Sequence, residues 1–249
     1  MELTVVGAGP AWSDRPGAVG ACYLVRTGGT SIVLDLGHGA YAGLAGLVEP
    51  SAIDAVVVSH LHPDHFVDLV PLRHYLRFGC TPPRRGRVLG PAGLATRLDA
   101  LHGEPGFAAA SLDIEPLAVG VATVGELSLE SRLVTHTAES YGFRVAPAGR
   151  PAPGLVYSGD CGRDEDLDPL VRPGDAVLVE ASFGPGPVDP GALHLDGGSA
   201  GRLAARTGAR ELLLTHLLDW RAADATIAAA RRGFDGPIRL VSPGDRVAI

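Results

Sequence analysis

Ser59-His60-Leu61-His62-Pro63-Asp64-His65 places three histidines and an aspartate within six consecutive positions. The whole chain has only nine histidines in 249 residues, so this density is not a by-product of composition. Neutral imidazole nitrogens and carboxylate oxygens form the donor set of zinc and its divalent neighbours. A loop that was polar merely because it met solvent would need no such concentration. The preceding run, Ala52 to Ser59 (AIDAVVVS), is apolar and β-branched almost throughout, which predicts a strand buried on both faces. A ligand loop rooted in a buried strand has a rigid support.

Downstream of this loop, Pro63 to Phe78 carries Phe66, Leu69, Val70, Leu72, Tyr75 and Leu76 at close to helical spacing. Pro71 falls inside the pattern, so the helix is expected to kink or break there. Upstream, Leu3 to Val6 reads as a short strand and Gly7 to Gly20 as a loop of Gly, Pro and Asp. Ala21 to Arg26 and Ser31 to Leu36 read as a β-hairpin turned at Thr27-Gly28-Gly29-Thr30. Further strands are expected over 87–89, 155–158, 176–180, 211–215 and 238–241, the last closing the chain. Helices are expected over 93–102, 199–207 and 222–232. Residues 112–135 alternate short apolar runs with turns, which suggests a second meander. No linker or low-complexity tract interrupts the chain, so one domain over residues 1–249 is expected, with strands central and helices outside.

Three other polar residues stand directly after strand-like runs: His136 after Leu133-Val134-Thr135, Asp160 after Val156-Tyr157-Ser158-Gly159, and His216 after Leu212-Leu213-Leu214-Thr215. Each alone reads as a satisfied polar residue. With the histidine loop, they read as one metal site gathered at an edge of the sheets. Val5-Val6-Gly7-Ala8-Gly9-Pro10-Ala11 imitates the start of a dinucleotide fingerprint, but Trp12 occupies the position that needs a small residue, and no helix follows. It reads as a glycine loop that lines a pocket.

The charge balance narrows the partners. The 21 basic residues, all arginine, face 28 acidic ones, a net charge of −7. That sign argues against a protein that coats nucleic acid. Three cysteines, Cys22, Cys80 and Cys161, are too few and odd in number for a disulfide scaffold, and read as free thiols. There is no apolar run of the ~18 residues a membrane helix needs, and no basic leader precedes an apolar stretch. The expectation is a cytoplasmic protein acting on a small molecule, with no membrane partner.

His60-x-His62-x-Asp64-His65, followed in order by His136, Asp160 and His216, resembles the metallo-β-lactamase superfamily, as does Leu34-Asp35-Leu36-Gly37 ahead of it. The resemblance spans nearly the whole chain. It implies an α+β fold, a four-layer αββα sandwich with two divalent metal ions at the sheet edge: zinc, with manganese or iron as alternatives. By that match His60, His62 and His136 hold the first metal, Asp64, His65 and His216 the second, and Asp160 bridges; Asp64 also counts among the catalytic residues. Thr135 to Arg144 (THTAESYGFR), Val179-Glu180-Ala181-Ser182-Phe183 and His194-Leu195-Asp196-Gly197-Gly198 resemble the tRNase Z-like branch. There the extra histidine, here His194, lies beside the metals as a general acid, and the glutamate, here Glu180, orients it.

The departure from that branch concerns substrate. Enzymes that trim tRNA carry a long basic arm, commonly inserted between the third histidine and the bridging aspartate. Here 23 residues of ordinary composition separate His136 from Asp160. The chain is instead similar to compact bacterial phosphodiesterases, which implies attack on a small phosphodiester, such as a cyclic nucleotide, by a hydroxide held between the metals. The resemblance leaves three other functions open: hydrolysis of a carboxyl ester, thioester or lactone, tRNA 3′-processing, and a metal-binding accessory role without catalysis. It is also compatible with a homodimer. Among lesser candidates, Asp35 serves either a ligand histidine or a plain turn. His38 is a pocket-lining candidate, and Cys161 a core filler beside the site. His74 and His102 are expected on solvated faces, and Arg231-Arg232 at a helix terminus. Ser140, Tyr141 and Arg144 are divided between substrate contact and structure.

Overall fold

A computed structural model describes residues 1–249. Fourteen strands form two seven-stranded sheets. The first contains β1 (Glu2–Gly7), β2 (Cys22–Thr27), β3 (Thr30–Leu34), β4 (Ala55–Val57), β5 (Gly86–Gly90) and β6 (Leu112–Pro116). The second contains β7 (Gly120–Val124), β8 (Leu127–Leu133), β9 (Tyr141–Pro147), β10 (Leu155–Tyr157), β11 (Ala176–Glu180), β12 (Glu211–Thr215) and β13 (Ile238–Leu240). The last strand, β14 (Arg246–Ala248), returns to the first sheet and pairs antiparallel with β1. Each half begins antiparallel and turns parallel: β2–β3 then β3–β4 in one, β9–β10 then β10–β11 in the other.

The side chains alternate with the strand period of two, so each sheet feeds two cores at once. Tyr23, Val25, Ile32, Leu34, Ala55 and Val57 meet Phe143, Tyr157, Leu178 and Leu213 between the sheets. Cys22, Leu24, Val33, Val56 and Val58 face the other way, against Leu44, Phe66, Leu69, Leu94 and Leu98. These belong to α1 (Ala40–Ala45), α2 (Pro63–Phe66), α3 (Leu69–His74) and α4 (Leu94–His102). On the outer face of the second sheet, Val177, Val179, Leu212 and Leu214 pack on Ala200, Leu203 and Ala230 from α5 (Gly197–Thr207) and α6 (Ala223–Arg231). Helix, sheet, sheet, helix is the four-layer α+β sandwich that the family resemblance implies. Truncating the inter-sheet core should be costly: Leu213→Ala, at a fully buried position, is expected to lose about 2–5 kcal/mol in denaturant unfolding.

Several expectations need correction. The run 112–135 is not one meander: β6 ends the first sheet, parallel to β5, and β7–β8 open the second. The seven-residue strand β9 lies outside the expected strands, although Tyr141, Phe143 and Val145 alternate into the inter-sheet core with Gly142 and Arg144 on the other face. The strand 238–241 does not close the chain; β14 does. The expected strand at 52–59 is ladder-paired only over Ala55–Val57, because Pro50 starts a short 3₁₀ turn that Glu49 caps through the Ser51 N–H. Pro71 does interrupt its helix, but the break falls at Val67–Asp68, where Pro71 offers no N–H to the Val67 carbonyl.

Candidate metal centre

Every expected ligand leaves the sheets at one rim. After β4, His60 and His62 lie on the loop and Asp64 and His65 on α2; His136 follows β8, Asp160 follows β10, and His216 follows β12. Donor atoms of His60, His62, His136 and Asp160 lie within 4.8 Å of one another, as do those of Asp64, His65 and His216. Asp160 is near both groups. Its Oδ2 is 3.6 Å from His60 Nε2 and 3.7 Å from His136 Nε2, and its Oδ1 is 3.3 Å from His65 Nε2 and 3.5 Å from His216 Nε2.

This packing is unfavourable without a cation. His136 Nε2 faces His62 Nδ1 at 3.2 Å, and His65 Nε2 faces His216 Nε2 at 3.2 Å. His60 Nε2 and Asp160 Oδ1 are buried with no hydrogen-bond partner at all. A buried polar atom left unpaired costs free energy, and a divalent cation is the group that converging imidazoles and carboxylates satisfy together. The residues therefore fit metal. Burial, with a contribution from His65, holds His60 well below the ordinary imidazole range, which favours the neutral ligand form. Burial alone would raise the Asp160 carboxyl, but His216, His65 and His60 outweigh it and keep it well below the usual carboxylate range. Chelation should loosen this rim. Stripping the metal is expected to lower Tm by several degrees, on the scale of ~2.7 kcal/mol for each site held at a hundredfold excess over Kd. Calorimetry checks this, and an unchanged Tm after demonstrated metal loss would count against a bound ion.

A buried scaffold holds the histidines in place. Asp35, fully buried, accepts from Ser59 N–H (2.6 Å), Ser59 Oγ (2.8 Å), Tyr157 OH (2.6 Å) and His65 Nδ1 (2.7 Å). Its role is thus to anchor a ligand histidine, and not only to turn the chain. Asp35 and His216 both adopt left-handed backbone, φ 57° and 60°, a strain that surrounding contacts must hold. The neighbouring Gly37 has no alternative, since a Cβ there would collide with the Asp64 carbonyl. Asp35→Asn keeps a residue that tolerates the backbone, yet sets an amide donor against donors. Metal affinity is expected to fall about 10–100-fold, measured by competition with a chromophoric chelator; unchanged affinity would remove Asp35 from this role.

His194 and Glu180 meet beside the cluster. His194 Nδ1 donates to Glu180 Oε1 at 2.9 Å, and its Nδ1 lies 3.9 Å from Asp160 Oδ2. Glu180 is fully buried and also accepts from Cys161 N–H, Leu195 N–H, Ser182 N–H and Ser182 Oγ. Burial opposes a charged His194 ring, but Glu180 outweighs it and lifts the imidazole above its ordinary value. Ser182 ties this pair to the cluster, because its Oγ also contacts His216 Nδ1 at 3.0 Å. Sequence reasoning did not assign that role, nor those of Ser59 and Tyr157; the only signal was their place beside ligands. A cavity of about 340 Å³ opens over His62, Asp64, Asp160, His194 and His216, and Pro10 and Ala11 of the glycine loop help to wall it.

The remaining candidates sort themselves. Arg144 is paired with buried Asp175 (2.7 Å), Ser140 Oγ accepts from Thr137 N–H, and Tyr141 OH donates to Leu117 O, so all three serve structure. Cys161 is a core residue, and all three cysteines are free. His38 is half-buried on the turn after β3 and does not line the cavity over the cluster. His74 departs from expectation: it is half-buried among Phe78, Phe107 and His102. His102 is exposed but stacks on Phe107 at 3.9 Å. Arg231 ends α6, as expected. No helix is long and apolar enough to cross a membrane.

The fold and the His/Asp cluster define a metallo-hydrolase of the β-lactamase superfamily. Residues 32–217 match the family described as the Beta-lactamase superfamily domain, and the chain belongs to it. An uncharacterized protein of Mycobacterium leprae is 37% identical over 98% of this chain and 87% of its own length. The probable metallo-hydrolase YhfI of Bacillus subtilis is 26% identical over 98% of both chains. Its crystal structure superposes with a TM-score of 0.87, at 23% identity over 99% of each chain. A ribonuclease Z of Thermobifida fusca is 27% identical over all of this chain and 94% of its own.

Proposed function

We propose that this protein is a binuclear metal-dependent phosphodiesterase acting on a small phosphodiester such as a cyclic nucleotide. In this reading His60, His62 and His136 hold one cation, Asp64, His65 and His216 the other, and Asp160 is shared between them. The donor set suits zinc, and manganese or iron would also be accommodated. The chemistry two divalent cations supply when bound is a water of lowered pKa and positive charge against the phosphoryl oxygens. Asp64, on the cavity wall, orients the attacking water. His194 carries the reading. With Nδ1 fixed on Glu180, its Nε2 is free to donate a proton to the departing alkoxide. An alkoxide leaving group such as a ribose oxygen needs that proton, and Glu180 raises the affinity of His194 for it against the opposing effect of burial.

Substrate size follows from what joins His136 to Asp160. That segment is the strand β9 and a turn into β10, with no room for a projecting arm. With a net charge of −7, this favours a small substrate over a folded RNA, although one relative is a ribonuclease Z. The test is turnover by metal-loaded protein of bis(p-nitrophenyl) phosphate, cyclic AMP and an acyl thioester. Phosphodiester cleavage is expected. Turnover of the thioester alone would overturn the reading in favour of carbonyl chemistry, and inactivity on all three would point to a metal-binding accessory protein.

A further inference from the structure

His62 lines two cavities: the one over the cluster and a second, also about 340 Å³. Leu61 and His62 wall it on one side, Gly93 and Arg97 at the start of α4 on another, and Thr137 and Glu139 of the His136 loop on the third. The two cavities differ in charge. The first has no arginine in its wall, and the chain has no lysine. The second carries one cation and one anion, Arg97 and Glu139.

These two charges border the same space without pairing. Arg144 is held by Asp175, Arg206 by Asp168 and Arg221 by Asp14. The guanidinium of Arg97, an exposed residue on the cavity wall, has no carboxylate within ion-pair distance and donates no hydrogen bond. Glu139 accepts one hydrogen bond, from Ala92 N–H at 3.0 Å, through Oε2, which fixes the carboxylate and leaves Oε1 free. An unengaged guanidinium fork matches a phosphate. A fixed carboxylate oxygen beside it accepts from a hydroxyl or an amine. A nucleotide unit carries both kinds of group.

We propose that this second cavity is a subsite for one further nucleotide unit of the substrate, with Arg97 holding a phosphate other than the one cleaved and Glu139 accepting from a ribose hydroxyl or base amine. The identity of the ligand as a nucleotide rests on the phosphodiesterase reading and narrows it to a phosphodiester with a second phosphate, which a cyclic mononucleotide lacks; the polarity of the subsite does not rest on it. His62 is the residue the two cavities share.

The test is calorimetric titration of the metal-loaded protein with adenosine 3′,5′-bisphosphate and with adenosine 5′-monophosphate. The wild type is expected to bind the bisphosphate about tenfold more tightly, on the scale of one charge-assisted contact. Arg97→Ala should reduce that preference to about twofold or less. Arg84→Ala, at an exposed arginine away from the cavity, should keep it, which controls for overall charge. Equal affinities in the wild type, or full preference in Arg97→Ala, would overturn the subsite. Should the preference be lost in Arg97→Ala while the wild type cleaves no phosphodiester, the subsite stands and the phosphodiesterase reading falls.

Discussion

Asp160→Ala is expected to lower kcat by at least about 10³-fold and to reduce bound metal below two equivalents. Asp160 is the one carboxylate that approaches both donor groups, with Oδ2 toward His60 and His136 and Oδ1 toward His65 and His216. Removing it takes an anion from the middle of four imidazoles. Each tenfold loss corresponds to about 1.4 kcal/mol, so a 10³-fold loss asks about 4 kcal/mol of the site, within the several kcal/mol that metal-supplied charge stabilisation contributes. Because Asp160 is buried, the alanine variant is paired with Asp160→Asn, which preserves shape and removes charge. Elemental analysis and turnover are read on both. Two metals retained with full turnover would end the bridging assignment.

His194→Ala is expected to lower kcat by about 10²–10⁴-fold, the contribution of a positioned general acid, while leaving metal content intact. The loss should depend on the leaving group. Cleavage of an alkyl or ribose ester needs the proton, whereas p-nitrophenolate departs without it, so bis(p-nitrophenyl) phosphate should suffer far less than cyclic AMP. Equal losses on both substrates would remove the acid role. Loss of metal would identify His194 as a ligand, an arrangement the donor atoms of Asp160, His194 and His216 permit, since they lie within 4.8 Å of one another. Glu180→Gln should produce a smaller loss with the same leaving-group dependence, because the ring keeps a hydrogen-bond acceptor but loses the charge that raises its proton affinity.

The cluster was legible because its ligands sit at strand ends, and strand ends show in sequence. A run such as Leu212-Leu213-Leu214-Thr215 announces a buried strand, and the polar residue after it, His216, must lie at the rim. The same rule placed His60, His136 and Asp160. Strands 176–180 and 211–215 matched the observed β11 and β12 residue for residue. Two strands were missed. β9 alternates with period two, Tyr141, Phe143 and Val145 entering the inter-sheet core and Arg144 pairing with Asp175 on the other face; β14 is three residues whose pairing with β1 depends on chain ends that meet only in space.

The sequence by itself determined the donor set, the order in which its members come, and the two-sided burial of the strands that carry them. Hydrophobic period and ligand chemistry are local properties, so local sequence carries them. Tertiary structure alone decided which neighbours hold the donors. Asp35 could have been an ordinary turn residue until Tyr157, from the opposite sheet, was seen to share it with His65. Ser182 could not be linked to His216, nor Arg97 to His62, from their separation in the chain. Those contacts arise where two sheets and their loops converge, and a hydrogen bond or a shared cavity wall depends on distance in space.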